Sequence, residues 1–350
     1  MKDSDLKPVA FSSSARPKEV PVPESVLKEA GFAPGDPVAA IPLGNGEFVF
    51  AKVKPDTEFA AHGNVKFGPA QLEKAGLTPG QPLKFTVLPT GAVRAAPLED
   101  PRADESFQNP PRDALDRPVP PAWLIQAFTN VPSVEKHIRN GDRQADLIAQ
   151  TVSDLGKDIA DFDSILDFGC GVGRVLRGLP RHTKAKLIGC DLHEDAIAWL
   201  SQHMPEHRFL IGTEYPPVDI PDDSVDLMYA ISVLTHLDED HQIKWLEEWA
   251  RVLKPGGVAI VTFRNEEFLE AFVRSQEMVE RVTKGLMNDG GFVFESHQRW
   301  QGVFSEFYAD AYHTKDYIRR VWGRYFEVRD FKDPGTFITR QNAAIMVKPG

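Results

Sequence analysis

Residues 164–174, Ser-Ile-Leu-Asp-Phe-Gly-Cys-Gly-Val-Gly-Arg, constrain the fold more than any other stretch of the chain. Ser164–Phe168 reads as a short apolar strand. Three glycines at alternate positions, Gly169, Gly171 and Gly173, separate it from a helical stretch, Arg174–Leu179. Glycines at a strand-to-helix turn let a ligand approach the backbone closely, and a helix start offers unpaired N–H groups. Lys186-Leu-Ile-Gly-Cys-Asp191 then reads as a second strand ending in a carboxylate, placed to accept both ribose hydroxyls of an adenosine group. From residue 122 strands and helices alternate, the pattern of a parallel sheet covered on both faces.

Glycine spacing separates two cofactor classes that use this plan. A dinucleotide fingerprint needs its third glycine at position 174, which is Arg174. The run Asp167-Phe-Gly-Cys-Gly-Val-Gly-Arg174 instead resembles motif I of the class I S-adenosylmethionine-dependent methyltransferases. Pro221–Leu237 is similar to the fourth-strand region of that superfamily, and Arg251-Val-Leu-Lys-Pro-Gly-Gly-Val-Ala-Ile-Val-Thr-Phe263 to its helix end, turn and fifth strand. Lys254–Gly257 is expected to terminate a helix whose apolar face is Ile243, Leu246, Trp249 and Val252. The resemblance runs from about residue 121 to 350. It implies an α/β, Rossmann-like seven-stranded sheet with an antiparallel last strand near Asn342–Val347, and S-adenosyl-L-methionine as cofactor. It further implies that Asp167 orients the methionine amino end and that Gly169, Cys170, Gly171 and Gly173 line the methionine and ribose. Asp191, Leu192 and Ala230 join the cofactor set. His207–Ile211 reads as the third strand, placing Gly212 and Thr213 beside the adenine, although the acid that many relatives carry just after this strand is here no nearer than Glu214.

Methyl transfer from a sulfonium is an in-line displacement, so alignment and exclusion of water carry most of the catalysis. A general base is required only where the acceptor must lose a proton. His236, just past the fourth strand, is the candidate base, with helix capping or fold support as its alternative role. Arg264, after the fifth strand, is the candidate contact for an anionic acceptor. The aromatic-rich stretch Trp300–Tyr317 falls within a substrate lid expected at about residues 265–317, where Tyr308 and His313 are the candidate acceptor contacts. Thr314 is expected to cap the helix that follows. Spacing gives no Cys/His metal cluster, and Cys170 and Cys190 read as buried, reduced thiols.

Proline divides the chain: 19 of 28 fall within residues 1–121. Within that third, Leu27–Pro37 aligns with Leu72–Pro82 at an offset of 45 residues, with six of eleven positions identical. The offset also carries Val20 onto Val65 and Gly46 onto Gly91. Each copy, about 20–53 and 65–98, reads as a short helix, a Pro-Gly turn and two strands. The Val22–Val38 stretch resembles the swapped-hairpin family of bacterial transition-state regulators and antitoxins, whose modules dimerise to bind DNA. A tandem pair could form that dimer within one chain.

Residues 1–98 are thus expected to form a small β-rich domain and residues 99–121 a charged, proline-rich linker. Residues 122–350 would form the methyltransferase domain. The formal net charge of −11, with only −1 in residues 1–100, argues against nucleic acid as a partner. Composition points to a cytoplasmic protein with no membrane span or secretory leader, and the resemblance is taken to imply methyl transfer to an oxygen or nitrogen of a small-molecule or sugar-like acceptor. The N-terminal domain would serve oligomerisation or protein docking. The competing expectation is a cofactor-binding regulator whose N-terminal module engages DNA or a protein partner.

Overall fold

Short strands dominate the described part of the first hundred residues. The computed structural model describes residues 18–21, 27, 29–33, 38–44, 47–52, 64–67, 83–89, 91–97, 101–103, 105–121, 124–125, 128, 134–295, 309–337 and 340–350. In the first unit, β1 (Lys18–Pro21) pairs antiparallel with β4 (Asn64–Phe67). β2 (Val38–Gly44), β3 (Glu47–Lys52), β6 (Val93–Pro97) and β5 (Leu83–Val87) form an antiparallel sheet in that order. The registers follow the repeat: Val20 pairs with Val65 and Val49 with Arg94, each pair one repeat length apart. Ile41 opposite Val49 on β2 and β3 is matched by Thr86 opposite Arg94 on β5 and β6. Phe48, Phe50, Ala92 and Val93 are fully buried here, and Phe32 meets Phe50 edge-on at 5.7 Å. The proline-rich segment after this sheet is more ordered than a spacer. Val119 N–H donates to the Pro111 carbonyl at 2.8 Å, and Phe107 and Val119 are buried.

The second unit holds the mixed sheet. β7 (Ser164–Phe168), β8 (Lys186–Asp191), β9 (Arg208–Ile211), β10 (Val225–Ala230) and β11 (Leu253–Phe263) are parallel. After the small hairpin β12 (Phe292–Glu295)–β13 (Asp310–His313) come β14 (Glu327–Lys332) and β15 (Asn342–Val347). The sheet order is β14-β15-β11-β10-β7-β8-β9, with β15 antiparallel to both neighbours and wholly buried. This is the Rossmann-like methyltransferase sheet, last strand antiparallel, expected above. Chain direction across the sheet reverses at β7, so the loops leaving β7, β8, β10 and β11 converge on one edge, where α/β sheets bind ligands.

Six α-helices lie among the described residues of this unit, α1 (Val134–Asp154), α2 (Glu194–His203), α3 (Glu239–Val252), α4 (Glu266–Phe272), α5 (Gln276–Asn288) and α6 (Lys315–Val321), with α4 and α5 packed around the β12–β13 hairpin. α3 begins at Asp238, whose carboxylate accepts from His241 N–H, and buries Trp245 and Trp249 against Phe168 at 4.5 and 5.2 Å. Thr314 caps α6 by accepting from Tyr317 N–H at 3.0 Å, as expected. No helix among the described residues is long and apolar enough to cross a membrane.

Two local expectations are corrected. The stretch after the glycine turn is no α-helix but a 3-10 helix, Leu176–Arg181, containing Pro180. Proline has no N–H to give, and Gly178 is pressed against α1, where an added Cβ would lie 2.8 Å from that of Ala145. Lys254–Gly257, expected as a turn, lies within the assigned strand β11 and is absorbed as a register shift between Val225–Leu253 and Leu227–Val258. Gly256 N–H donates to the Lys348 carbonyl and Lys348 N–H to the Gly257 carbonyl, so the C-terminal segment pairs with this stretch.

Candidate active site at the carboxyl edge of the sheet

The glycine turn is held from three sides. Gly169, Gly171 and Gly173 all adopt positive φ, at 76°, 53° and 70°, where any other L residue would be strained. The Cys190 carbonyl accepts from both Gly169 N–H (2.8 Å) and Cys170 N–H (3.1 Å). From β8, Asp191 Oδ2 accepts Gly171 N–H at 2.7 Å while its Oδ1 accepts His193 N–H at 2.9 Å. Burial raises the Asp191 pKa, and the two N–H groups hold it down. Close approach is enforced: a Cβ on Gly169 would lie 2.4 Å from Val233 Cγ2. The turn therefore touches the loop that follows β10. Cys170 and Cys190 are buried, unbridged thiols with raised pKa values, burial being the main cause.

Asp167 is the penultimate residue of β7. Parallel register places Tyr229 of β10 directly opposite, and its hydroxyl donates to Asp167 Oδ2 at 2.9 Å. Burial pushes the carboxyl up to about 7, against the pull of Tyr229 and of the Arg174 guanidinium. Between the ordinary carboxyl pKa and about 7, the native protein keeps a proton that the unfolded chain releases, so stability falls as pH rises through that window. Urea unfolding should show wild type losing stability relative to Asp167→Asn between pH 4 and 7, by about 4 kcal/mol at most, and levelling off above. Parallel pH profiles for the two proteins would contradict this.

On the β8–β9 side, Gly212 N–H donates to the Asp191 carbonyl at 2.8 Å and Thr213 Oγ1 to the Tyr215 carbonyl at 2.6 Å. Three of the exposed large hydrophobic side chains of the described residues lie here: Leu192 (59%), Ile211 (60%) and Tyr215 (40%). Apolar surface left open beside a ribose-type carboxylate fits a flat aromatic base. Tyr215, which sequence reasoning passed over, stacks on His241 at 4.2 Å and lies under the Lys244 ammonium at 4.5 Å. His241 Nδ1 is 2.7 Å from Asp238 Oδ1, so this wall is anchored to α3.

The expected acceptor residues divide. His236 and Arg264 come together, their Nε2 and Nη2 atoms 3.3 Å apart, and Arg264 also binds Asp310, a residue that sequence reasoning missed. His236 Nδ1 lies 2.9 Å from the Ala309 carbonyl, which can only accept, so Nδ1 carries the proton and Nε2 the lone pair. Burial, reinforced by Arg264, lowers its pKa to about 4. His313 has a different place. It is 0% exposed, among Phe263, Phe292, Tyr317 and Trp322, and Nε2 meets Gln242 Oε1 at 2.8 Å. Gln242 donates its amide to the Leu234 and Leu237 carbonyls, so His313 is the donor to Oε1. A histidine so enclosed braces the β13–α3 packing, and the acceptor contact expected of it is corrected. Tyr308 lies outside the described residues. Ala230 ends β10 fully buried, and Leu192 follows Asp191. Tyr229 was legible in principle: counting back from the ends of two parallel strands places it opposite Asp167.

Residues 165–257 match a family model described as "Methyltransferase domain". The sterol 24-C-methyltransferase of Yarrowia lipolytica is 31% identical over 99 residues, which are 27% of this chain and 26% of that protein. The methyltransferase GfsG of Streptomyces halstedii is 30% identical over 105 residues, covering 29% of this chain and 37% of that protein. The match thus spans about a quarter to a third of these relatives' length. Among solved structures, the N-methyltransferase NodS of Bradyrhizobium japonicum, in complex with S-adenosyl-L-homocysteine, aligns over 60% of this chain and 87% of its own. It does so at a TM-score of 0.40 and 13% identity. The sheet order and the matched segment make this part of the second unit similar to methyltransferase domains. The residues present suit S-adenosylmethionine: a glycine cradle that a Cβ would fill, a carboxylate beside it and open apolar surface next to both.

Proposed function

We propose that the chain transfers a methyl group from S-adenosyl-L-methionine to an oxygen or nitrogen of a small-molecule or sugar-like acceptor by in-line displacement. The observation that carries this reading is the clasp of Gly171 by Asp191 on a turn whose three glycines all need positive φ. It presents backbone and carboxylate together at the carboxyl edge of the sheet. The cofactor supplies a methyl group on a sulfonium, already activated for displacement. This chain's residues bind, orient and exclude water: Asp167 faces the amino end, Asp191 the ribose, and Leu192 with Ile211 the base, near Gly212 and Thr213.

Acceptor chemistry is assigned to the loops after β10 and β11. Arg264 brings positive charge and His236 Nε2 a lone pair, with Asp310 fixing the guanidinium. A polar, charged cluster suits a heteroatom acceptor better than a carbon acceptor, the kind named for sterol 24-C-methyltransferase. With its pKa lowered, His236 is neutral at physiological pH, the state in which Nε2 can take a proton. His236→Ala should lower kcat by about a hundredfold or more for an acceptor that must lose a proton. Arg264→Gln should mainly raise KM. Formation of S-adenosylhomocysteine across panels of phenols, amines, carboxylic acids and sugars tests both. Turnover by His236→Ala that equals wild type from pH 6 to 9 would remove it from the mechanism.

A further inference from the structure

The loop that leaves β10 holds a serine where glycine would be easier. Ser232 has φ at 64°, in the left-handed region. The other described non-glycine residues with positive φ, Asp116 and Asp223, are of a type that adopts it more readily. Ser232 N–H donates to Thr262 Oγ1 of β11 at 2.7 Å, and its Oγ accepts from Gln341 Nε2 at 2.8 Å. Thr262 and Gln341 are both buried, and Gln341 is 109 positions further along the chain. The next residue, Val233, stands against Gly169 of the glycine turn. Three segments thus hold one strained residue in place. Strained residues fixed in this way by their surroundings cluster at functional sites.

Its place is the acceptor end of the sheet edge. β10 ends two residues earlier, at Ala230. On the other side His236 N–H donates to the Val233 carbonyl at 2.9 Å, closing a single turn that carries the imidazole. Gln341 is set by the register of β15 on β11, in which Asn342 faces Phe263, and the residue after Phe263 is Arg264. A serine hydroxyl has one proton to donate. With the Gln341 amide donating to Oγ, that proton points elsewhere, and no acceptor for it is found among the described residues. The bond left to Ser232 is therefore one donated to an atom with a lone pair.

We propose that Ser232 donates this hydrogen bond to a second oxygen of the acceptor, beside the atom that receives the methyl group, and that Gln341 is the positioning residue that turns the hydroxyl toward it. This rests on the acceptor site assigned under Proposed function and narrows its substrate class. Acceptors with two neighbouring heteroatoms, one methylated and one bound by Ser232, are preferred to acceptors with one. The strained backbone is kept because glycine, which would relieve it, has no hydroxyl to offer.

The test measures kcat/KM of the full chain for acceptor pairs that differ by one neighbouring oxygen. The probes are catechol and phenol, salicylic and benzoic acid, 2-aminophenol and aniline, and methyl glucoside and its 2-deoxy analogue. Wild type should prefer the first member of a pair roughly tenfold or more, the scale of one hydrogen bond and of a donor left unpaired without it. Ser232→Gly suits the positive φ and lacks the hydroxyl, so it should bring the preference to within about twofold of unity. Its affinity for S-adenosylhomocysteine, read by calorimetry, should stay within about twofold of wild type, certifying the fold. At pH 8, Gln341→Glu presents only acceptor oxygens and draws the Ser232 proton to itself, so it should erase the same preference, and the double variant should lose no more. If Gln341→Glu does not bind S-adenosylhomocysteine, Ser232→Gly decides alone. A preference that survives Ser232→Gly, or a wild type that treats both members of every pair alike, overturns the proposal. Absence of wild-type turnover with every probe overturns the heteroatom-acceptor reading beneath it, a separate result.

Discussion

Asp191→Ala should remove nearly all measurable affinity for S-adenosylhomocysteine. The carboxylate has two functions, and the substitution removes both. On the proposed reading it accepts two ribose hydroxyls, and each charge-assisted bond contributes roughly 1.5–3 kcal/mol. Together that is a weakening of roughly a hundredfold to ten-thousandfold. Asp191 also accepts Gly171 N–H at 2.7 Å, so alanine frees the turn that should cradle the ligand and leaves a buried donor unsatisfied. Asp191→Asn keeps one acceptor oxygen and should fall between the two. Calorimetry at a fixed pH reads the difference, and an unchanged dissociation constant for Asp191→Ala would displace the ribose from this carboxylate.

The second large effect is structural. Glycine in a helix interior ordinarily costs about 1 kcal/mol relative to alanine, so Gly141→Ala on an exposed helix would stabilise. Here the new Cβ would stand 2.0 Å from the Arg174 carbonyl oxygen, a backbone atom that no rotamer change can move. α1 would have to shift by an ångström or more, taking Ala145 and Ile148 out of register with the segment it covers. Overpacking of this kind costs about 1–3 kcal/mol beyond the propensity gain. A net loss of roughly 2 kcal/mol should lower the Tm by about 4–8 °C in a unit of this size. Cofactor affinity should fall as well, because the same shift displaces the segment that follows the glycine turn. A raised or unchanged Tm would mean that α1 does not lie against this turn.

The parts of this fold that could be read from sequence are those fixed by local rules. The glycine turn needs positive φ at Gly169, Gly171 and Gly173, and only glycine adopts it without strain. The ends of β7, β8 and β15 follow from runs of apolar residues, and the cap at Thr314 from a hydroxyl before a helix. The 45-residue offset recurs in the pairing, where Val20 faces Val65 and Val49 faces Arg94, but no register was legible in the sequence. What sequence did not show depends on contacts between distant segments. The segment after the glycine turn is a 3-10 helix, with Pro180 inside it and Gly178 close against α1. His313 lay beside the expected lid in sequence, yet β13 turns it into an aromatic core and onto Gln242, 71 positions earlier. Asp310 joins Arg264 and His236 from the far end of the same segment. No spacing rule brings these groups together, since their separation in sequence is set by the insertion between β11 and β13.

Binding of S-adenosylhomocysteine and of NAD to the same full-length protein tests the central claim most directly, because both ligands use a glycine turn and a strand-end carboxylate. The account predicts one molecule of S-adenosylhomocysteine bound per chain, displaced by S-adenosylmethionine, with no competition from NAD. Binding of NAD in place of S-adenosylhomocysteine, with sensitivity to Asp191→Ala, would contradict it.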